Sequence, residues 1–231
     1  AVKAYANANK NPLAHMHTAK MTMDRAQASD RNARFLANET YAPFMKVSDC
    51  SQVSDGGSAL ILVSEEGLAM LGKDKSEAIE VCGAAIATGN LYEDGDLLSM
   101  DTTQAAAQNA YRSAGLNPGS IDIAEVHDCF TVTELLMLEA LGFADKGEGA
   151  AFSSAGHTAI DGKIPVNTGG GLVGFGHPVG ATGVKQILEL YRQMKGQCGD
   201  YQVASTPKIG LTANMGGNDK TAVVALFRNL D

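Results

Sequence analysis

The stretch TGGGLVGFGHPVGATG, residues 168–183, contains seven glycines and one histidine and runs from a predicted strand at residues 164–167 into a predicted helix at residues 180–195. Glycine at this density indicates that the backbone approaches another group closely. Functional groups of α/β proteins collect where a strand gives way to a helix. His177 is therefore a candidate functional residue, and the alternative is a packing loop that carries a structural histidine.

Two phosphate-binding motifs are disfavoured in this stretch. Gly169, Gly171 and Gly174 satisfy G-x-G-x-x-G. The helix begins only near Gly180, however, and the acidic residue that should follow a second strand, Glu189, lies inside that helix. No Lys-Ser or Lys-Thr pair follows the loop, so the stretch does not match a P-loop.

Strands and helices alternate on both sides of the glycine-rich stretch. Strand-like apolar runs and helical periodicity give the order β-α-β-α-β-α-β-β. Asp101 and Gln104 form a capping-box pattern at the start of the first helix, and Gly142 ends the second. This order predicts a layered α/β domain over residues 77–231. The predicted elements are residues 78–87, 102–114, 121–126, 131–141, 164–167, 180–195, 207–213 and 220–227.

The first third of the chain is less regular. Residues 1–50 mix polar turn-formers with apolar residues and show no sustained period, apart from an opening helix stopped by Asn11-Pro12. The run at residues 59–63 predicts a buried strand, and Ser64 caps a short helix that ends near Gly72. We therefore predict boundaries at 1–50, 51–76 and 77–231.

Composition excludes several classes of protein. The 231 residues carry a formal charge of −8 with scattered basic residues, which disfavours nucleic acid and anionic membranes as partners. The longest apolar runs are far shorter than the ~20 residues of a membrane span. The four cysteines have no metal-ligand spacing, so we expect no metal site and free thiols in a reducing compartment.

Two further motifs follow predicted strands. The sequence His127-Asp-Cys129-Phe130 lies where a strand ends and a helix begins, and the positive end of the helix dipole is expected to favour the Cys129 thiolate. The sequence Asn214-Met-Gly216-Gly-Asn218 runs from a strand into paired glycines. The alternatives are satisfied core residues for the first motif and an ordinary hairpin turn for the second.

Together the three motifs resemble those of the thiolase superfamily. The stretch 176–183 is similar to the thiolase active-site histidine loop, and residues 127–130 are similar to the motif of the sterol-carrier-protein-type thiolases. Most thiolases have a cysteine in the final loop, whereas this chain has Asn214, which fits the sterol-carrier type. Ketoacyl synthases share the fold but are less similar in both loops.

The resemblance implies a thiolase-like layered α/β fold whose C-terminal half is complete and whose N-terminal half is only partly present. It also implies acyl transfer between 3-ketoacyl-CoA and coenzyme A, with coenzyme A as substrate and no cofactor. It implies that Cys129 is the proton shuttle and that His127 and His177 make the oxyanion contacts. It further implies that the Asn214 amide orients a water molecule and that Gly216 is a backbone donor. The implied substrate contacts are Ser51, Phe130 and Gly176.

The resemblance also exposes a gap, because none of the four cysteines lies in the context of the thiolase nucleophile. A fragment, or one subunit of a split enzyme, is the expected explanation. The family further implies a homodimer or tetramer, or a missing N-terminal half supplied by another chain, in the cytoplasm or in a eukaryotic peroxisome. The alternatives are a steroid-side-chain retro-aldolase with an OB-fold partner and a non-catalytic CoA-binding or scaffold subunit.

Overall fold

The computed structural model describes residues 1–93, 95–96 and 98–230. The helices and strands alternate over the second half of the chain, as predicted, and short 3₁₀ turns connect several of them. The helices are α1 (Val2–Lys10), α2 (Glu65–Met70), α3 (Asp101–Ala114), α4 (Thr131–Ala140), α5 (Gly149–Ser154), α6 (Gly171–Phe175) and α7 (Thr182–Met194). The strands are β1 (Ile79–Thr88), β2 (Ile123–Val126), β3 (Ile209–Gly216) and β4 (Thr221–Asn229).

The four strands form one sheet in the order β1-β4-β3-β2. Strands β2 and β3 are parallel, and β4 pairs antiparallel with both β3 and β1. The parallel register sets Val126 opposite Ala213. Because the motifs at 127–130 and 214–218 directly follow these two residues, the sheet brings them to the same edge.

Apolar layers cover both faces of the sheet. Helices α3 and α4 pack on one face around Ala107, Met137 and Leu138, which are almost fully buried. Helix α7 packs on the other face through Leu190 and Met194. Burial of each large apolar side chain contributes about 1.5–3 kcal/mol, so these two layers stabilise the domain and hold β2 and β3 in place.

Two predicted strands are corrected by the structure. Residues 59–63 form no strand, and Ile61 and Leu62 are 83% and 77% exposed. The reason is that no other strand pairs with this run among the described residues. The predicted strand at 164–167 is reduced to a single parallel bridge between Val166 and Ala124.

The predicted cap of helix α3 is also corrected. Asp101 is the first residue of the helix rather than its cap. The carboxylate of Asp219, in the β3–β4 turn, instead accepts hydrogen bonds from the backbone N–H groups of Thr102 and Thr103 at 2.9 and 3.0 Å. The sheet turn is thereby tied to the start of α3.

Two short helices were not predicted, α5 and α6, and the predicted helix at 180–195 begins two residues later than expected. Helix α6 lies inside the glycine-rich stretch, between Gly170 and Gly176, both of which have positive φ. Of the described helices, none has the length and apolar character needed to cross a bilayer.

Candidate functional site

Two motifs meet through the sheet. The backbone N–H of His127 donates to the carbonyl of Ala213 at 3.0 Å, which extends the parallel pairing one residue past β2. This bond sets His127 beside Asn214. The Nδ1 atom of His127 lies 2.8 Å from Oδ1 of Asn214.

The third motif supplies His177 to the same place. The rings of His127 and His177 meet edge to face, with 5.1 Å between their centroids and an angle of 89° between their planes. The Nδ1 atom of His177 lies 2.7 Å from Oγ1 of Thr182, and this hydroxyl donates to the carbonyl of Pro178 at 3.1 Å. Because the hydroxyl proton is used in that way, Oγ1 of Thr182 accepts a hydrogen bond from the Nδ1–H group of His177, and Nε2 keeps its lone pair.

Both histidines favour the neutral form. Burial lowers the pKa of His127, although its hydrogen bond with Asn214 acts in the opposite direction. Burial also lowers the pKa of His177, and the neighbouring His127 lowers it further. Near pH 7 the site therefore holds two uncharged imidazoles, each able to accept a proton.

The segment 51–57 lies against the histidine loop. Val53 forms a parallel bridge with His177, and the His177 N–H donates to Oγ of Ser54 at 3.4 Å. A side chain added at Gly56 would approach Pro178 to 2.9 Å. This contact explains the glycine at position 56 and fixes one wall of the site.

Cys129 occupies the segment between β2 and α4. Its carbonyl accepts a hydrogen bond from the backbone N–H of Ser51 at 2.8 Å. Burial raises the pKa of the Cys129 thiol, and a hydrogen bond with Thr133 only partly offsets this effect. The expected thiolate is therefore wrong, because burial raises the pKa of a thiol that lies one position outside the helix cap.

The other predicted contacts are distributed around this centre. Phe130 bridges to Cys50 and its ring lies 5.9 Å from that of Phe35. Gly176 ends α6 with φ of 126°, and a side chain there would approach Oγ of Ser54 to 3.3 Å. Gly216 is exposed, and among the described residues nothing would contact a side chain at that position. The structure thus brings His127, His177 and Asn214 into contact and leaves Gly216 at the rim.

Sequence reasoning missed several residues that build the site. Gln186, on α7, accepts a hydrogen bond from Nδ2 of Asn214. Asp128 accepts one from the backbone N–H of Leu172 at 2.6 Å and so fixes the start of α6. Burial raises the pKa of Asp128 to about 7, with the nearby Glu134 acting in the same direction. The only sequence signal for Asp128 was its place in the motif 127–130.

A buried polar network joins the segments that carry the site residues. Asn167, at φ of 55°, accepts from the N–H of Val126 at 2.9 Å and donates to Glu134 at 3.0 Å. Lys3 forms an ion pair with Glu134 and donates to the carbonyl of Val166 at 3.2 Å. Because each partner belongs to a different segment, the network fixes β2, α4 and the start of the glycine-rich loop relative to each other.

An open cavity of about 340 Å³ lies on the α3 side of the sheet. Thr133, whose side chain hydrogen-bonds with Cys129, and Met215, which follows Asn214 on β3, are among its lining residues. Met100 and Leu136 add apolar walls, and Asp101 adds a carboxylate.

The cysteines are all unpaired. Burial is the largest cause that raises the pKa of each thiol, and that of Cys198 reaches about 12. Each thiol is therefore protonated near pH 7. Within residues 1–93, 95–96 and 98–230, no cluster of three His, Cys, Asp or Glu side chains could hold a metal ion.

Comparison with known proteins identifies relatives of the chain. The family model for the thiolase C-terminal domain-like family matches residues 83–229. The chain is 39% identical over 221 residues to an acetyl-CoA acetyltransferase of Methanothermobacter thermautotrophicus, covering 96% of this chain and 55% of that protein. It is 35% identical over 219 residues to sterol carrier protein 2 of Oryctolagus cuniculus, covering 93% and 40% respectively. The chain thus spans about half the length of the curated relatives it matches.

Solved structures give the same result for the fold. The Ltp2–ChsH2(DUF35) aldolase superposes with a TM-score of 0.83 at 28% identity, over 99% of this chain and 56% of that one. A monomeric SCP2-thiolase-like protein of Mycobacterium smegmatis superposes with a TM-score of 0.72 at 16% identity, over 100% and 45%. The predicted thiolase-like fold is confirmed.

Proposed function

Because the chain belongs to the thiolase superfamily, we propose that it carries part of the active site of an acyltransferase that cleaves or forms 3-ketoacyl-CoA. The observation that carries the proposal is the edge-to-face contact of two neutral histidines, His127 and His177, together with a protonated thiol at Cys129, two residues after His127. Thioester carbon–carbon bond chemistry requires proton acceptors, a proton donor and stabilisation of the thioester oxygen. These side chains provide those functions.

The proposed cleavage starts with a cysteine thiol outside this chain. Its proton moves to Nε2 of His177, and the sulfur attacks the 3-keto carbon of the substrate. The resulting imidazolium then has an Nε2–H that donates to the developing oxyanion. The carbon–carbon bond breaks with acyl transfer to the sulfur, and the acetyl-CoA enolate takes the proton of the Cys129 thiol.

The second half of the cycle restores each group. The thiol of a free coenzyme A gives its proton to the Cys129 thiolate and attacks the acyl group. The nucleophilic cysteine leaves as a thiolate and recovers its proton from His177. The raised pKa of the Cys129 thiol supports this role, because the group starts the cycle protonated and returns to that form.

The nucleophile is proposed to come from a segment that the 231 residues do not contain. All four thiols in the chain are protonated near pH 7, and none is placed as an activated nucleophile. The exposed apolar run at residues 59–63 supports the same view, since an exposed strand-forming run is typical of a surface that another segment covers. That segment is either part of a longer polypeptide or a partner subunit.

A retro-aldolase is the second candidate. It is favoured by the superposition, with a TM-score of 0.83, on the Ltp2–ChsH2(DUF35) aldolase, whose name includes a DUF35 component. Such a lyase would need no covalent acyl intermediate, so the absence of an activated thiol among the described cysteines would then need no further explanation. A non-catalytic CoA-binding subunit is the remaining alternative.

A thiolysis assay separates these candidates. We expect no coenzyme A-dependent cleavage of a 3-ketoacyl-CoA by the purified 231-residue chain, and turnover when the nucleophile-bearing segment is present. In the active form, Cys129→Ser is expected to lower kcat by about 10²–10⁴-fold, as for loss of a general acid or base. Cys82→Ser is the matched control, because Cys82 is a half-buried thiol on β1, away from the site.

Two outcomes would contradict the proposal. Sustained turnover by the short chain that Cys50→Ala or Cys198→Ala abolishes would place the nucleophile within these residues. Retro-aldol cleavage of a β-hydroxyacyl-CoA in the presence of an OB-fold partner, with no thiolysis under any condition, would support the lyase instead.

A further inference from the structure

Gln186 is a buried polar residue next to the site, and the packing of the fold does not explain its presence there. It is fully buried on α7, and its Oε1 atom accepts a hydrogen bond from Nδ2 of Asn214. Its own Nε2 has no hydrogen-bond partner among the described residues. A buried amide that leaves one group unpaired is costly, so its retention calls for a reason other than packing.

The hydrogen bond from Asn214 to Gln186 determines what Asn214 offers to His127. With Nδ2 directed at Gln186, the amide of Asn214 presents Oδ1 to Nδ1 of His127 at 2.8 Å. A carbonyl oxygen only accepts, so Nδ1 of His127 must carry the proton. The lone pair of the neutral ring is then on Nε2, so the oxyanion contact implied for His127 requires a second proton on that nitrogen.

The two hydrogen-bond partners of the Asn214 amide oppose its reversal. Its Nδ2 faces Gln186 and its Oδ1 faces Nδ1 of His127. Gly183, on the first turn of α7, leaves room for this amide, since a side chain there would approach Nδ2 of Asn214 to 3.3 Å. Reversal of the amide would set two donors, or two acceptors, against each other unless Gln186 reversed as well.

We propose that Gln186 is a positioning residue, which fixes the protonated nitrogen of His127 through the amide of Asn214 and so keeps Nε2 of that ring free to accept a proton. The tautomer is a property of the resting protein and does not depend on the proposed function. Only the effect on turnover rests on the proposed function.

Gln193 provides a matched control on the same helix. It is also fully buried, but its amide donates to Thr168 at 2.9 Å and to the carbonyl of Tyr201 at 2.8 Å, and it accepts from the N–H of Val203 at 3.0 Å. These contacts are structural and do not reach the histidines. A change that acts merely through helix packing should therefore have similar effects at positions 186 and 193.

The test uses the full-length protein with ¹⁵N-labelled histidine, whose imidazole shifts report which nitrogen carries the proton. The variants are Gln186→Met, which removes the acceptor but keeps the side-chain length, Gln186→Glu, which keeps an acceptor oxygen, and Gln193→Met. Loss of one histidine signal in His127→Gln assigns the ring. Thermal unfolding of each variant establishes that it is folded.

We expect the Nδ1–H tautomer of His127 in the wild type, in Gln186→Glu and in Gln193→Met, and a mixture of tautomers in Gln186→Met. The pKa of His127, which burial lowers and the Asn214 hydrogen bond raises, should fall further in Gln186→Met. His177 is the titratable group in contact with this ring, so its titration is followed in the same spectra. Thiolysis by Gln186→Met should show a kcat lower by roughly three- to tenfold with little change in KM, the size expected for one hydrogen bond.

The proposal is overturned if the wild-type ring carries its proton on Nε2, or if Gln186→Met keeps the tautomer and pKa seen in Gln193→Met. If the wild type shows no thiolysis, the proposed function fails while the spectra still decide the role of Gln186. If the spectra change as expected and kcat does not, the positioning is real but unrelated to turnover, and the catalytic part of the proposal is wrong.

Discussion

The imidazole of His127 contacts that of His177 edge to face, with ring centroids 5.1 Å apart. Two titratable rings at this distance cannot both become charged at low cost, because each positive charge opposes the other in a partly desolvated site. The two rings therefore titrate as a coupled pair, and the second proton binds to the pair more weakly than the first.

Replacement of His127 by Gln is expected to raise the pKa of His177. The pKa of His177 is lowered first by burial and then by His127, and the substitution removes the second cause while keeping a polar side chain. An NMR titration of His177 measures the change. His157→Gln is the control, since His157 packs on Phe152 away from the site and its loss should leave His177 unchanged. An unaltered or lower pKa of His177 in His127→Gln would show that the rings do not interact electrostatically.

Asp219→Gly is expected to lower stability by about 1–2 kcal/mol. The substitution removes the carboxylate that caps α3 at Thr102 and Thr103, and helix caps are worth about this much. Glycine tolerates the φ of 63° at this position, so backbone strain is not introduced. Urea unfolding measures the difference.

Asn218→Gly is the matched control for the cap. Asn218 is the preceding residue in the same turn and also has positive φ, at 55°. Its replacement should leave stability nearly unchanged. Equal losses in both variants would mean that the turn, rather than the cap, is being measured.

The sequence was informative where structure is local. The period of apolar residues predicted β1, β4, α3, α4 and α7 with ends correct to within a few residues. The three motifs also indicated the place of the site, because strand ends and the following loops share one edge of a sheet.

The parts that failed depend on contacts between distant residues. The cap of α3 comes from Asp219, more than 100 positions away, and no local pattern shows it. The run at 59–63 has strand-like composition, but a strand forms only beside a partner. Gln186 and Thr182 reach the site because of how α7 is rotated about its axis relative to the sheet, and the helical period alone does not determine this rotation.

Glu125→Gln is expected to flatten the dependence of stability on pH between about 6.5 and 8. Glu125 is almost fully buried without a hydrogen-bond partner for its carboxylate among the described residues, and burial raises its pKa to about 8. The Lys185 ammonium, 3.9 Å from the carboxylate, only partly offsets this effect.

The sign follows from proton binding. A carboxyl group with a raised pKa is protonated in the folded state while the unfolded chain has lost the proton, so stability falls as pH rises towards the folded pKa. For Glu125 this loss is about 1–2 kcal/mol between pH 6.5 and 8. The two histidines have lowered pKa values in the folded state, so they reduce the stability of the protein only below about pH 6.5, outside this window.

Chemical denaturation at several pH values measures the effect. The wild type and the exposed control Glu148→Gln should lose stability together as pH rises, while Glu125→Gln should lose clearly less, with the remaining loss near pH 7 coming from Asp128. Parallel slopes for all three proteins would show that Glu125 is ionised in the folded state at pH 7 or that another group, such as Asp128, dominates the window.

Gly171→Ala and Gly180→Ala are expected to differ sharply although both change a glycine of the same stretch. At Gly171 the backbone has φ of 62°, and an added Cβ would lie 2.3 Å from Oδ2 of Asp128, the residue that holds the start of α6. At Gly180 the φ is ordinary and nothing among the described residues lies within 4 Å of an added Cβ. Close approach of another group therefore requires glycine at position 171 and does not require it at position 180 among the described residues. Gly171→Ala should lower the free energy of unfolding by about 2–3 kcal/mol through strain and displacement of Asp128, and should disturb the NMR signal of His177 because α6 leads into its loop.

Thermal unfolding and the histidine NMR spectrum measure the two effects, and Gly180→Ala should leave both near wild type. If the two variants were equally stable, the approach of Asp128 to α6 would not be what requires glycine in this stretch.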